Sequence, residues 1–297
     1  MAFKGSGVRA PLDPHIFKQN FTFYFYLIFF LIFFNFLFEE ILKIPLSIAI
    51  ISFNEESIIA DVLDKVSAIA DEIIVVDSFS TDATVTIAHR YNAKVLQKEW
   101  TNFTEQKNFA LAQCKNDWVL CLDCDEIPTD ELIEEIKNVT QNSEFVGYSI
   151  NRRTNYLGKS MRYAWQPDWN LRLVKKAAHP RWIGNQVHES LIVDGNVTKL
   201  KNELQHYSYR NIHHHFTKAL NFAKLSAMDY QNQGKKFNLL NLVLNPLLAF
   251  FKMYVLKFGF LDGIRGFIAS MSSFYGTFMK YAILFEMQIN KSINKKE

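Results

Sequence analysis

The chain has 297 residues, of which 49% are hydrophobic and 21% are charged. Its 33 basic and 30 acidic residues leave a formal charge of only +3, scattered along the sequence, which excludes a nucleic-acid partner held by a basic surface. Three cysteines do not make a disulfide framework and favour a reducing compartment. The length accommodates one domain of about 200 residues and an appendage.

The chain begins with a hydrophobic segment, residues 1–43. Within it, residues 21–38 form an 18-residue apolar run that is broken only by Thr22 and Asn35, which is long enough for a transmembrane helix. Basic residues precede the run, and Glu39 and Glu40 follow it. Three interpretations are open: a membrane anchor, a segment lying in the membrane interface, or residues added by an upstream start-site assignment. The monotonous Phe content favours the last two.

Apolar runs and amphipathic stretches alternate in the next part of the chain. The pattern predicts a strand at 46–52, a helix at 57–70 with one apolar stripe, and a strand at 72–77. Strand, helix and strand at this spacing form a βαβ unit and imply a parallel sheet. Further elements are predicted in the same alternation: a helix at 83–91 capped by Thr81 or Asp82, a strand at 94–97, a helix at 103–114 and an apolar strand ending at Asp123.

Acidic side chains follow three of these strands. The sequence Asp-Trp-Val-Leu-Cys-Leu-Asp-Cys-Asp-Glu at 117–126 ends in Asp123 and Asp125, which strand alternation places on the same face. Glu55 and Asp77 follow the first and second strands. Because ligands bind at the carboxyl edge of open α/β sheets, these carboxylates should gather at a ligand site. Their oxygens suit Mg²⁺ or Mn²⁺. No Gly-rich phosphate loop is present, which argues against a dinucleotide enzyme or a P-loop NTPase.

Four motifs occur in a recognisable order: Ser-Phe-Asn-Glu-Glu, Ile-Val-Val-Asp-Ser-x-Ser-Thr-Asp, Lys-Asn-x-Ala and Leu-Asp-x-Asp-Glu. Together they resemble the family 2 glycosyltransferases with the GT-A fold, over roughly residues 44–290. The Val187-His188-Glu189 sequence and the Phe-rich C-terminal region resemble the bacterial subgroup that adds glucose to the inner-core heptose of lipopolysaccharide. Phe79 stands where the family often has Gly, which should alter the loop without removing a ligand.

The resemblance implies a mostly parallel central sheet flanked by helices, a UDP-sugar donor and a divalent cation, Mg²⁺ or Mn²⁺. Asp125 is the predicted metal contact, and Asp123 either shares the metal or faces the ribose. Five further residues are predicted to bind the nucleotide sugar: Asp77 at the uracil, Asn54 and Glu55 at the nucleotide edge, and Lys107 and Asn108 on the helix that leads to the sheet. Arg172 is predicted to hold the diphosphate or an anionic acceptor group, with structural ion pairing as an equal alternative.

The reaction also needs a general base that reaches the attacking hydroxyl. Two carboxylates beyond the first half-domain are candidates, Glu189 and Asp168. Glu189 is preferred because the resembled subgroup has a His-Glu pair at this place, and Asp168 is the alternative. Neither Cys121 with Cys124 nor the histidines at 213–215 are predicted to bind metal. No second cysteine pair completes a zinc site, and consecutive helical residues diverge by about 100°.

The last part of the chain, residues 211–297, is predicted to be helical, with helices at 216–227, 239–257 and 264–285. Their apolar runs are interrupted by lysines, which favours helices lying in the plane of a membrane over spans. The lysines would meet anionic inner-leaflet lipid. Helices that merely cover the sheet or form a dimer face are the alternative.

These observations predict a GT-A glycosyltransferase domain at 44–210 and a membrane-associated region after it. The expected function is inverting transfer of a hexose, foremost glucose from UDP-glucose, to a lipopolysaccharide inner-core heptose at the cytoplasmic face of a bacterial inner membrane. The alternatives are another saccharide or a polyisoprenyl-phosphate acceptor, or a catalytically silent nucleotide-sugar binding protein. A nucleotidyltransferase would need a basic Gly-rich triphosphate loop, which the sequence lacks.

Overall fold

A computed structural model describes residues 44–184 and 189–293 of the protein. Within them the strands are β1 (Ile44–Ser52), β2 (Ala70–Asp77), β3 (Lys94–Gln97), β4 (Trp118–Asp123), β5 (Glu126–Pro128), β6 (Gly147–Tyr156), β7 (Lys159–Ser160), β8 (Trp169–Lys175), β9 (Arg181–Ile183), β10 (Ser190–Ile192) and β11 (Val197–His206). The α-helices are α1 (Ile59–Ser67), α2 (Thr84–Arg90), α3 (Phe103–Gln113), α4 (Asp130–Gln141), α5 (Ile212–Asn232), α6 (Leu239–Phe251) and α7 (Ile264–Ile293).

The first half of the central sheet is parallel, as the βαβ pattern predicts. Its strands lie in the order β3-β2-β1-β4. The register places Ser52 opposite Asp77 and Ile51 opposite Asp123, so the carboxyl ends of β1, β2 and β4 meet at one edge. The predicted helices between these strands are confirmed to within about three residues at each end. The predicted cap of α2 is displaced: the N-cap residue is Ala83, which has no capping side chain, and Asp82, one residue earlier, accepts a hydrogen bond from the Thr84 N–H at 3.0 Å.

The second half of the sheet adds antiparallel pairings. β8 lies antiparallel between β4 and β6, and β11 pairs in parallel with β6 and antiparallel with β5. The β5–β11 register sets Glu126 opposite His206, which brings the residues after β4 next to the end of β11. Residues far apart in sequence therefore share the same sheet edge.

Apolar side chains cover both faces of the sheet. Alternate residues of one strand point to opposite faces, so Ile48 and Ile50 belong to one buried cluster and Ala49 to the other. The apolar stripe of α1 packs into the first cluster, where Leu63 is fully buried. The predicted α/β class is confirmed.

The C-terminal region is helical, as predicted, and α7 extends beyond the predicted end, to Ile293. A short turn after α6, Gly259–Asp262, contacts the sheet domain through Asp262. The buried Asp262 carboxylate accepts hydrogen bonds of 3.0, 3.0 and 2.8 Å from the backbone N–H groups of residues 162, 163 and 164. Hydrogen bonds to a charged group contribute about 1.5–3 kcal/mol each, so this contact fixes the loop on the sheet domain.

One stretch of the described chain, Leu239–Leu256, is long and apolar enough to cross a membrane by length and composition. Its mean hydropathy is 1.7, and only 6% of it is buried in the protein. The helical segment Lys252–Leu256 that ends this stretch winds more widely than the rest of α6.

Candidate active site

A cleft of about 730 Å³ opens at the carboxyl ends of β1 and β4. Small-molecule sites typically enclose roughly 300–1,000 Å³. Five predicted site residues line the cleft: Glu55, Lys107, Asp123, Asp125 and Glu189. Of the others, Asp77, Asp168 and Arg172 contact lining residues, namely Ser52, Arg152 and Asp123 in that order. Asn54 and Asn108 hydrogen-bond to residues outside the lining.

Asp123 is held between two cations. Lys107 Nζ lies 2.8 Å from Asp123 Oδ1, and Arg172 Nη2 lies 2.9 Å from Oδ2. Burial works to raise the pKa of the Asp123 carboxyl, but Lys107 and Arg172 together hold that pKa well below its ordinary value. Asp123 is therefore ionised, and protein cations contact both of its oxygens.

Arg172 is an ion-pairing residue in this arrangement. Its guanidinium also contacts the fully buried Glu126, and its side chain is only 3% exposed. Although burial works against the charged form, the two carboxylates raise the pKa of Arg172 above its ordinary value. Of the two sequence-based interpretations, the contacts match structural ion pairing.

Asp125 faces the cleft from the turn after β4. Its Oδ2 lies 3.4 Å from His206 Nε2. Burial works to raise the pKa of the Asp125 carboxyl, but His206 outweighs it, and the pKa is lowered. The pKa of Glu55, which also lines the cleft, is raised, first by burial and then by the charge of Asp125. Two carboxylates thus act on each other through space.

Glu189 lines the same cleft as Asp125. Its Oε1 is 3.1 Å from Lys107 Nζ, and the Lys107 ammonium also lies 4.5 Å from the centroid of the Trp182 ring. Lys107 thereby bridges Asp123 and Glu189. His188, the other member of the predicted His-Glu pair, lies outside the described residues.

Glu189 also borders a second cavity, of about 450 Å³, on the other side of Lys107. Its lining is rich in polar and aromatic side chains, which include Arg152, Trp169, Asn170, Arg172 and Trp182. Glu189 therefore stands at the junction of the cleft with a smaller polar cavity.

Asp168, the alternative base, is fully engaged by neighbours. Arg152 contacts Asp168 Oδ2 through Nε and Nη2, both at 2.9 Å, and Asn170 donates to Oδ1 at 2.9 Å. Asp168 lies outside the lining of both cavities. The geometry favours Glu189 as the group that reaches a substrate.

Comparison with known proteins identifies the type of chain. Residues 47–190 match glycosyl transferase family 2. An uncharacterised glycosyltransferase of Rickettsia typhi is 33% identical over 256 residues, which cover 82% of this chain and 88% of that protein. The chain belongs to glycosyltransferase family 2. The protein is accordingly an enzyme, a glycosyltransferase, and its mixed α/β architecture agrees with the resemblance.

Two further similarities concern characterised proteins. The lipopolysaccharide core biosynthesis glycosyltransferase LpsC of Rhizobium meliloti is 27% identical over 263 residues, covering 84% of this chain and 95% of LpsC. The crystal structure of glucosyl-3-phosphoglycerate synthase from Mycobacterium tuberculosis with Mn²⁺, UDP and glucosyl-3-phosphoglycerate is 25% identical, with a TM-score of 0.32. That match covers 37% of this chain and 44% of the synthase chain.

In the glycosyltransferase, Asp77 fixes the loop above the cleft. Its fully buried carboxylate accepts hydrogen bonds from Ser52 Oγ at 2.9 Å and from Ser80 N at 2.8 Å. Ser80 Oγ in turn accepts from the Asn54 N–H at 2.8 Å, and the Asn54 side chain accepts from the Thr81 N–H at 2.9 Å. The contacts with uracil and the nucleotide edge stay predictions for Asp77 and Asn54.

Asn108 contacts backbone. Its side chain donates to Trp182 O at 2.9 Å and accepts from Trp182 N at 2.8 Å. This pair of bonds attaches α3 to β9 and sets the position of the Trp182 ring beside Lys107. A role of Asn108 in nucleotide binding stays a prediction.

Residues 44–184 and 189–293 contain no group of three or more His, Cys, Asp or Glu side chains arranged to hold a metal ion. Mg²⁺, however, is commonly bound by one or two carboxylates together with substrate phosphates and water. The ionised Asp125 and the Glu55 carboxyl that it influences fit that pattern, because a cation between them would relieve their repulsion. Asp123 fits less well, since Lys107 and Arg172 already contact its oxygens.

Sequence reasoning missed the cleft residues at the end of β11 and beyond it. His206, Ser208 and Tyr209 line the cleft, and so does Lys218 of α5. Their only sequence signal is a group of polar and aromatic residues after an alternating strand. Among the histidines at 213–215, His215 is buried and contacts the Tyr156 hydroxyl at 2.8 Å, and burial lowers its pKa to about 4. It therefore belongs to the core beneath Tyr209.

Proposed function

We propose that this glycosyltransferase transfers glucose from UDP-glucose to a heptose of the lipopolysaccharide inner core, with inversion at the anomeric carbon, at the cytoplasmic face of a bacterial inner membrane. The acceptor class is supported by the similarity to LpsC, which extends over 84% of this chain. The reaction type is supported by family membership and by the residues that meet at the cleft.

The position of Glu189 carries the proposal. The larger cleft offers room for the nucleotide sugar, with Asp125 and Glu55 at one end. The smaller polar cavity offers aromatic rings and hydrogen-bonding groups, which suit a sugar acceptor. A carboxylate at the junction of the two can reach an acceptor hydroxyl and remain close to the anomeric carbon.

The chemistry is a single displacement. As the acceptor oxygen forms a bond to the anomeric carbon, its proton passes to the Glu189 carboxylate. The bond from that carbon to the diphosphate oxygen breaks, and the electron pair leaves with UDP. Attack from the face opposite the leaving group inverts the configuration. Lys107 holds Glu189 in place at 3.1 Å and keeps positive charge beside the reacting groups.

Asp125 is the proposed cation ligand, with Glu55 beside it. A bound Mg²⁺ or Mn²⁺ would supply positive charge that offsets the charge developing on the diphosphate. In the variant Asp125→Ala we expect turnover to lose its stimulation by Mn²⁺, with the thermal unfolding transition nearly unchanged. Wild-type metal-dependent activity in this variant would contradict the assignment.

The first experiment measures UDP release from a panel of UDP-sugars, with Mn²⁺, Mg²⁺ or EDTA, and with or without deacylated heptose-containing core saccharide. The proposal predicts metal-dependent release from UDP-glucose that rises when the core saccharide is present. Release from a different UDP-sugar would change the donor. UDP release that is the same with and without the core saccharide would contradict the assigned acceptor. No release from any donor would favour a binding protein without turnover.

A second acceptor class, a polyisoprenyl phosphate, is favoured by one observation. The apolar stretch Leu239–Leu256 is largely unburied and would suit an acceptor that lies in the bilayer. Substituting a polyisoprenyl phosphate for the core saccharide in the same assay separates the two acceptors.

A further inference from the structure

A second open groove lies among the C-terminal helices α5, α6 and α7. It has a volume of about 490 Å³. Its walls consist mainly of small and hydroxyl-bearing side chains, together with three lysines, Lys252, Lys257 and Lys280. No carboxylate lines the groove. The described part of the chain therefore surrounds this space with positive charge alone.

The three lysines lack a carboxylate partner within the described residues, although the Lys280 ammonium lies 4.6 Å from the ring centroids of both Tyr230 and Tyr281. Lys257 Nζ donates to Gln166 O at 3.1 Å, and Lys280 Nζ lies 3.4 Å from the Tyr230 hydroxyl. No hydrogen bond or ion pair to a described residue is made by Lys252 Nζ, and none of the three lysines forms an ion pair with a described carboxylate. Ammonium groups without counter-charges attract an anion.

Hydroxyl groups complete the donor set. Ser226, Ser272 and Thr277 line the groove, and each has a hydroxyl that can donate to an anionic oxygen, whereas the Ser273 hydroxyl donates to Ala269 O at 3.2 Å. Charge-assisted hydrogen bonds to phosphate are about twice as strong as neutral ones. The combination of lysines and hydroxyls fits a phosphate group better than it fits a carboxylate-rich protein or an uncharged sugar.

The surface next to the groove is apolar. Leu247 and Leu248 of α6 are 53% and 61% exposed, in the same helical stretch that ends with Lys252. Lys252 is the single charged residue of Leu239–Leu256. A ligand that places phosphate in the groove would therefore meet a hydrocarbon-compatible surface beside it.

The groove also adjoins the catalytic cleft. Phe222 lines both spaces, and Lys218, one turn earlier on α5, lines the cleft. We propose that the groove binds the phosphate of a membrane lipid, with the acyl chains along the exposed face of α6 and the polar part directed past Phe222 towards the cleft. This inference rests on the proposed function. A lipid phosphate bound in the groove would hold the enzyme beside its acceptor.

The test compares two double variants that remove the same charge. Lys252→Gln/Lys280→Gln changes the groove, and Lys224→Gln/Lys291→Gln removes two exposed lysines from α5 and α7 outside the groove. The full chain is sedimented with vesicles of phosphatidylcholine, alone or containing phosphatidic acid. The loss of affinity in the control variant measures the general attraction between surface lysines and an anionic membrane. With phosphatidic acid we expect the groove variant to lose about tenfold more in affinity than the control variant.

Several outcomes would overturn the site. Equal losses in the two variants would show only general attraction between lysines and an anionic surface. No loss of affinity in either variant would show that the lysines of the groove do not bind the lipid phosphate. Calorimetry with inorganic phosphate separates the two sources of phosphate: binding as tight as to the vesicles would make the groove a soluble-phosphate site. Thermal unfolding of both variants shows whether they fold. Because vesicle binding requires no sugar transfer, failure of the proposed function would leave this result interpretable.

Discussion

The sheet domain and the C-terminal helices treat charge and apolar surface in opposite ways. Around the cleft the charged groups are buried and paired: Asp123 and Glu126 contact Arg172, whose side chain is 3% exposed. In the C-terminal helices the lysines of the groove lack carboxylate partners among the described residues, and leucines such as Leu248 face outwards.

This difference indicates what each region is built to contact. Buried ion pairs contribute little net stability, but they hold catalytic groups in fixed positions, since breaking one leaves an uncompensated charge. Large exposed apolar patches are rare on soluble monomers and usually mark a contact surface. The sheet domain therefore provides a site held by ion pairs, and we propose that the exposed apolar face of the helices is a contact surface.

The largest effect is expected at the base. Glu189→Gln can still accept the hydrogen bond from Lys107 but cannot take the proton, so kcat should fall about 10²–10⁴-fold. Asp168→Asn, whose carboxylate is occupied by Arg152 and Asn170, should lower kcat less than about tenfold. Steady-state UDP release at saturating donor measures both. The reverse order of losses would transfer the role to Asp168.

The buried ion pair is tested by removing one cation. Arg172→Met leaves Asp123 and Glu126 without their shared partner, and we expect the free energy of unfolding to fall by about 3–5 kcal/mol. Arg153→Met on β6 is the matched control. Its partner Glu203 and Arg153 itself are each about one-quarter exposed, so the cost should stay below about 1 kcal/mol. Urea unfolding compares the two, and equal costs would contradict the contrast.

The apolar side of the comparison is tested with two leucines. Leu63→Ala removes a fully buried side chain of α1 and should cost about 2–5 kcal/mol of unfolding free energy. Leu248→Ala, at a position 61% exposed on α6, should change stability by no more than about 0.5 kcal/mol. Only Leu248→Ala should weaken vesicle binding. A large stability loss from Leu248→Ala would show that α6 belongs to the core.

The parallel half of the fold could be predicted from sequence because local periodicity determines it. Each strand is a short apolar run and each helix has one apolar stripe, so β1 to β4 and α1 to α3 were identifiable with small errors at the ends. The antiparallel half was not predicted in detail. Pairing of β5 with β11 places Glu126 opposite His206, 80 positions later in the chain. No local sequence pattern encodes such a contact.

The sequence predicted which residues line the cleft better than it predicted which partners those residues contact. Five of the predicted residues line the cleft because strand ends meet at one sheet edge. The ion pairs of Asp123 and the internal hydrogen bonds of Asp77 were not predictable, since each depends on a partner from another strand or loop. For the helices, the sequence predicted apolar faces without showing that those of α6 lie outside, because periodicity does not distinguish core from membrane.

The smallest expected effect on stability comes from the charge of Glu55 near Asp125 inside the cleft. The folded-state pKa of Glu55 is raised above its ordinary value of 4.5, by burial and by Asp125. A raised pKa means that the folded state binds the proton more tightly. The stabilising contribution is therefore full below the unfolded-state pKa and is lost as the pH rises through the folded-state pKa.

At neutral pH the ionised Glu55 thus lowers stability. Glu55→Gln should raise the free energy of unfolding by at most about 1 kcal/mol after solvent screening is allowed for. The gain should disappear at about pH 3, well below the ordinary pKa of a glutamate in the unfolded chain, where Glu55 is protonated in both states. Urea unfolding at the two pH values measures it, with Glu144→Gln at an exposed position as the control. A gain that is equal at both pH values would show that repulsion from Asp125 is not its cause. If Glu55→Gln also lowers the affinity for Mn²⁺, the Asp125 and Glu55 carboxylates take part in cation binding.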